Sequence, residues 1–207
     1  HAERVKAAWT ELVTDDDIVI IAGDISWGLK LDEAMADLDW IHELPGQKVL
    51  LRGNHDLWWC RIQHLRTLYD DMHFLQNDCY YVEALDLAIC GSRGWPTPDA
   101  ATYTEHDEKM YLREQGRLRN SLVEAKKKGA SRIIMAMHYP PAKMEETEFT
   151  RIMQEYGVMQ CVYGHLHGMV AWTNGIKGEH GGIDYKLVSL DYLGARPKLI
   201  YDSEQEM

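Results

Sequence analysis

Val5, Ala8, Trp9 and Leu12 recur at three- and four-residue spacing between Ala2 and Val13, the stripe of an amphipathic helix. "DIVIIAGD" (17–24) has a different pattern. It is a short, continuous apolar run rich in β-branched residues, as expected of a strand buried on both faces. "KVLLRGNHD" (48–56), "RIIMAMHYPP" (132–141) and "VMQCVYGHLHG" (158–168) repeat it. Helical periodicity returns from Leu31 to Leu44, over "WWCRIQHLRTLY" (58–69), and along a charged stretch from Glu105 to Lys128 that Gly129 closes. Short segments between Asp71 and Trp95 ("HFLQND", "YYVEAL", "LAICGSRGW") predict strands, as do "IDYKLVSLDYL" (183–193) and "PKLIYD" (197–202). No repeat, linker or low-complexity stretch interrupts the chain. Residues 1–207 are therefore read as a single domain of the α/β class.

Four of the apolar strands end in polar loops: Gly23-Asp24, Gly53-Asn54-His55-Asp56, His138, and Gly164-His165-Leu166-His167. In open α/β sheets the carboxyl ends of strands border the crevice where ligands bind, so residues far apart in sequence converge there. Asp24 supplies a carboxylate, Asn54 an amide oxygen, and His138, His165 and His167 three imidazoles. Mixed nitrogen and oxygen donors suit Mn, Fe or Zn better than the all-oxygen preference of Mg or Ca. Taken singly, each residue has an ordinary reading: a turn or helix cap for Asp24, a turn former for Asn54, a hydrogen-bonded loop histidine for His138. In this order on successive strand ends, they predict a metal site.

Composition narrows the partners. A formal charge of −11 over 207 residues argues against a broad nucleic-acid surface, which would need clustered Lys and Arg. An anionic substrate would need local positive charge, which bound metal ions can supply. No apolar stretch approaches the ~20 residues of a membrane span. Cys60, Cys79, Cys90 and Cys161 are scattered, without a C-x-x-C pair, which predicts buried thiols and a reducing, cytoplasmic setting.

"GDISWG", "GNHD", "MHYPP" and "YGHLHG" together resemble, in order and context, the motifs of the calcineurin-like metallophosphoesterases. More narrowly, "LPGQKVLLRGNHDLWW", "GSRGW" and "LVSLDYL" look like the bacterial predicted phosphohydrolases of that superfamily. The resemblance implies an αββα sandwich of two mixed β-sheets flanked by helices, and a dinuclear centre of two divalent transition metal ions. Asp24 would bridge the two ions, Asn54, His138 and His165 would complete one, and His167 would serve the other. His55 would be a general acid facing the substrate, oriented by Asp56. The family's Asp-x-His motif, at the end of a first strand, has no counterpart after His1; Asp71-Met72-His73 follows "GNHD" and is read as coincidence. Either the strand that carries it lies upstream of His1, or one metal site is half-built and the chain holds only one ion firmly.

The implied activity is metal-dependent hydrolysis of a small phosphorylated substrate by attack of a metal-bridging hydroxide, with Arg52 and Arg93 as candidates to bind phosphate. The phosphoprotein phosphatases of the superfamily carry "GDxVDRG", whose arginine binds phosphate; here Trp27 stands near that place, so phosphodiesters are expected to be preferred. The competing reading is an interaction module that keeps the scaffold and metal without turnover. The missing Asp-x-His favours it, and the presence of His55 and Asp56 counts against it.

Overall fold

The computed structural model describes residues 2–204. Its helices are α1 (Ala2–Leu12), α2 (Leu31–His42), α3 (Ile62–Leu65), α4 (Glu105–Lys127), α5 (Glu148–Glu155) and α6 (Met169–Trp172). Its strands are β1 (Ile18–Ile21), β2 (Gln47–Leu51), β3 (Met72–Leu75), β4 (Cys79–Val82), β5 (Leu87–Ser92), β6 (Arg132–Met137), β7 (Gln160–Tyr163), β8 (Gly178–His180) and β9 (Ile183–Leu187). They form two sheets. One has the order β1-β2-β3 and is parallel throughout. The other has the order β4-β5-β6-β7-β9-β8, with its four central strands parallel and its two edge strands antiparallel.

Alternation along the strands shows how the layers stack. Val49 and Leu51 of β2 face Ile89, Ala136 and Val162 of the larger sheet and form the core between the sheets. Leu50, Met72 and Phe74 face the opposite way, onto Ala34, Leu38, Ile62, Leu65 and the Trp58–Trp59 pair. On the far side, Cys90, Ile133, Met135 and Cys161 pack under Leu118 and Leu122 of α4 and Phe149, Ile152 and Met153 of α5. β2, β5, β6 and β7 thus bury both faces, which is why their apolar runs are continuous. The order of layers is helices, sheet, sheet, helices.

Several sequence expectations need correction. The helix read over 58–69 is a single turn, because Trp58 and Trp59 belong to the loop before it: their indole N–H groups donate to Asp56 and Gln76. The strand from Ile183 stops at Leu187, and 197–202 is irregular, although Ile200 still packs against the inter-sheet core. Pro197, which has no N–H for a ladder, opens that segment. α5 escaped the pattern reading, yet Thr147 and Thr150 build a capping box at its start. Cys79, Cys90 and Cys161 are buried as expected, but Cys60 is exposed. Among the described residues no helix is long and apolar enough to cross a membrane.

Candidate metal centre

The loops that leave β1 and β2 meet at backbone contact. A Cβ on Gly23 would lie 2.7 Å from Gly53 Cα and from His138 Nδ1, and one on Gly53 would lie 2.1 Å from Asp24 Oδ1. Only glycine fits at either position. Asp24 and His165 both adopt left-handed backbone conformations, with φ of 56° and 68°. For non-glycine residues this costs of order 1–3 kcal/mol each and persists where the surroundings impose it.

At Asp24 the neighbour that imposes it is Asp56. Its carboxylate is fully buried and accepts the backbone N–H groups of Asp24, Ile25, Ser26 and Gly53 and the indole N–H of Trp58. This clamps the "GDISWG" loop onto "GNHD". Asp24 Oδ1 in turn accepts the N–H of His55 at 2.9 Å.

Four donor groups converge above these loops. His138 Nε2 lies 2.6 Å from Asn54 Oδ1 and 3.5 Å from Asp24 Oδ2. His165 Nδ1 lies 2.9 Å from Asn54 Oδ1 and 3.2 Å from His138 Nε2. The ligand atoms of Asp24, His138 and His165 all fall within 4.8 Å of one another. His138 Nδ1 is 2.9 Å from the Ala22 carbonyl, an acceptor only, so Nδ1 carries the proton and the Nε2 lone pair faces the cluster. A carboxylate, an amide oxygen and two imidazoles are thus aimed at one small volume, a donor set that a cation would hold together. The residues therefore fit a transition metal ion.

The histidines are tuned to stay neutral. Burial is the main cause that lowers the pKa of His138, against the pull of Asp24. Burial and the neighbouring His138 lower that of His165 to about 4. Neutral imidazoles keep their lone pairs for a metal. Tyr139, which follows His138, packs its ring 4.3 Å from that of His165.

The remaining sequence candidates are arranged around this cluster. His55 is exposed, and its ring lies 4.2 Å from that of Trp27, itself 76% exposed; the Asp56 carboxylate is taken up by its five N–H donors, so the neighbour that holds the His55 ring is Trp27. His167 lies apart, half-exposed, with Nδ1 3.0 Å from Asp191 Oδ1. Arg52 donates from Nε to the Asp56 carbonyl, and Arg93 lies 4.5 Å over the Trp95 ring with its Nε buried and unpartnered. Burial lowers both guanidinium pKa values, from a starting point high enough to leave them charged. Sequence reasoning missed Asp191 and Tyr139, although both sit inside the quoted motifs "LVSLDYL" and "MHYPP".

The family model for calcineurin-like phosphoesterases matches residues 2–169, most of the chain. The chain belongs to this family. Over 56 residues the chain is also 45% identical to the gene 66 protein of Mycobacterium phage L5. That match covers 27% of each chain, so it spans well under two thirds of the relative's length. The α/β architecture of two sheets flanked by helices accords with the family. Calcineurin-like phosphoesterases generally use two metal ions, and Asp24, His138 and His165 form a candidate group for holding one.

Proposed function

We propose that this phosphoesterase hydrolyses phosphodiesters in preference to phosphoproteins, with His55 as the general acid. The observation that carries the reading is the convergence of Asp24, Asn54, His138 and His165 donor atoms on one point beside His55. Asp24, Asn54, His138 and His165 would hold one ion, and Asp24 with His167 would serve the second. Bound there, Mn, Fe or Zn would supply Lewis-acid charge toward the phosphoryl oxygens and acidify the attacking water. The chain's own residues do the rest. Glycines 23 and 53 bring Asp24 and Asn54 within reach of both histidines. Asp56 fixes the loop that carries His55, and an imidazole there can give its proton to the departing alkoxide oxygen.

Substrate preference follows from the same loop. Trp27, an aromatic ring rather than a cation, borders His55, the proposed general acid. A monoester dianion gains little from an indole, whereas an aryl or nucleoside ester group can stack on it. Arg93, whose Nε is buried and unpartnered, is a candidate to steady a phosphoryl oxygen. The test is kcat/KM for an aryl phosphodiester and for a phosphoserine peptide on metal-loaded protein, with metal content measured alongside. The diester should be the faster. Faster peptide dephosphorylation would reverse the preference, and bound metal with neither activity would leave a binding module.

A further inference from the structure

His167 and Asp191 come from loops that leave the same end of adjacent strands. β7 and β9 are parallel neighbours, and the ladder continues one step beyond β9, where Val188 N donates to Tyr163 O at 2.8 Å. The "GHLHG" loop and the "SLDYL" loop therefore emerge side by side. Asp191 Oδ1 lies 3.0 Å from His167 Nδ1 and also accepts the Tyr192 N–H at 3.0 Å; Oδ2 accepts the Gly168 N–H at 2.7 Å. The left-handed Gly168, φ 80°, turns that N–H toward the carboxylate.

We infer that Asp191 is a positioning residue for His167, holding the imidazole in its Nδ1–H form with Nε2 free to bind a metal ion. This rests on the reading of the site in which His167 serves the second ion. An ionised carboxylate only accepts hydrogen bonds, so the nitrogen it faces must carry the proton. Imidazole free in water favours the opposite, Nε2–H, form. Without Asp191, most neutral His167 would therefore block its own ligand atom with a proton. The two N–H donors of Gly168 and Tyr192 fix the carboxylate itself, so the ring is steered by a group that cannot swing away. His138 is held in the same way by the Ala22 carbonyl, which gives two histidines of the centre one tautomer by two different acceptors.

The measurement is the imidazole nitrogen spectrum of metal-free protein by long-range proton–nitrogen NMR, slightly above neutral pH. His167 should show a protonated Nδ1 and an unprotonated Nε2. Asp191→Ala should shift it toward Nε2–H while the backbone amide signals of β7 and β9 stay in place. Asp191→Asn, which keeps the shape, is the second variant if alanine disturbs the loop; it should give a mixture. Calorimetric titration with Zn should show binding to the His167 site weakened about 10- to 100-fold in Asp191→Ala, the usual range for losing an outer partner, with the Asp24–His138–His165 site unchanged. An Nε2–H His167 in the wild type, or the same tautomer in wild type and both variants, would overturn the assignment. The NMR result does not depend on turnover, so absent phosphodiester hydrolysis would count against the proposed function and not against Asp191.

Discussion

The buried Asp56 carboxylate takes the backbone N–H of Asp24 at 2.8 Å, tying the loop after β1 to the loop after β2 across 32 residues of sequence. Four further N–H groups end on the same two oxygens. Asp56 is thus the keystone of the metal loops. Asp56→Asn turns one acceptor into a donor facing other donors, and each buried N–H left unpaired costs about 1–3 kcal/mol. Urea unfolding should show a loss of at least about 2 kcal/mol, with weaker metal binding. Unchanged stability with lost activity would instead assign Asp56 a purely catalytic role.

Gly53 offers a test of the close approach. Its Cβ would sit 2.1 Å from Asp24 Oδ1, so Gly53→Ala must push the Asp24 carboxylate aside. We expect metal affinity to fall at least tenfold, read by titration with Zn or Mn. Gly129→Ala is a useful contrast. It meets nothing within 4 Å and strains only its own left-handed backbone, so it should lower stability modestly and leave metal binding alone.

His55 separates catalysis from ligation. His55→Ala should lower turnover by ~10²–10⁴ with metal content unchanged. The loss should shrink for a nitrophenolate, which departs without a proton. His165→Ala should lose metal and activity together. Loss of metal on changing His55 would make it a ligand.

The buried histidines make metal-free stability depend on pH. His165 titrates near 4 in the folded protein against 6.5 for an ordinary histidine, and His138 is shifted the same way. Unfolding therefore takes up protons between these values, so stability is fully present above about 6.5 and falls as pH drops toward 4. The urea midpoint of metal-stripped protein should drop between about pH 7.5 and about pH 5, and His165→Asn should flatten that slope. Parallel slopes for wild type and variant would show that other groups dominate.

The sequence by itself determined the central strands and the residues that gather at the candidate metal centre. An apolar β-branched run buried on both faces has only one economical environment, the inside of a layered sheet, so β1, β2, β6 and β7 were visible from local pattern. Asp24, Asn54, His138 and His165 were visible because each follows such a run directly. Elsewhere the pattern misled. "WWCRIQHLRTLY" has helical spacing, but the two indoles are claimed by Asp56 and Gln76, and these tertiary hydrogen bonds hold most of the segment as loop. The short α5 was too weak a periodic signal to separate from its loop.

Only the tertiary structure decided which side chain serves which neighbour. Folding encloses the Asp56 carboxylate with five N–H donors, three of them from a loop 30 to 32 residues earlier that nothing local relates to it. Asp191 lies 24 residues after His167, and nothing local couples them. Parallel pairing of β7 with β9 does, by setting the loops at their ends side by side. Residue types and strand ends are local properties and can be read along the chain. Tautomers, clamps and left-handed backbones are imposed by contacts between distant segments, and they exist only once the layers have closed.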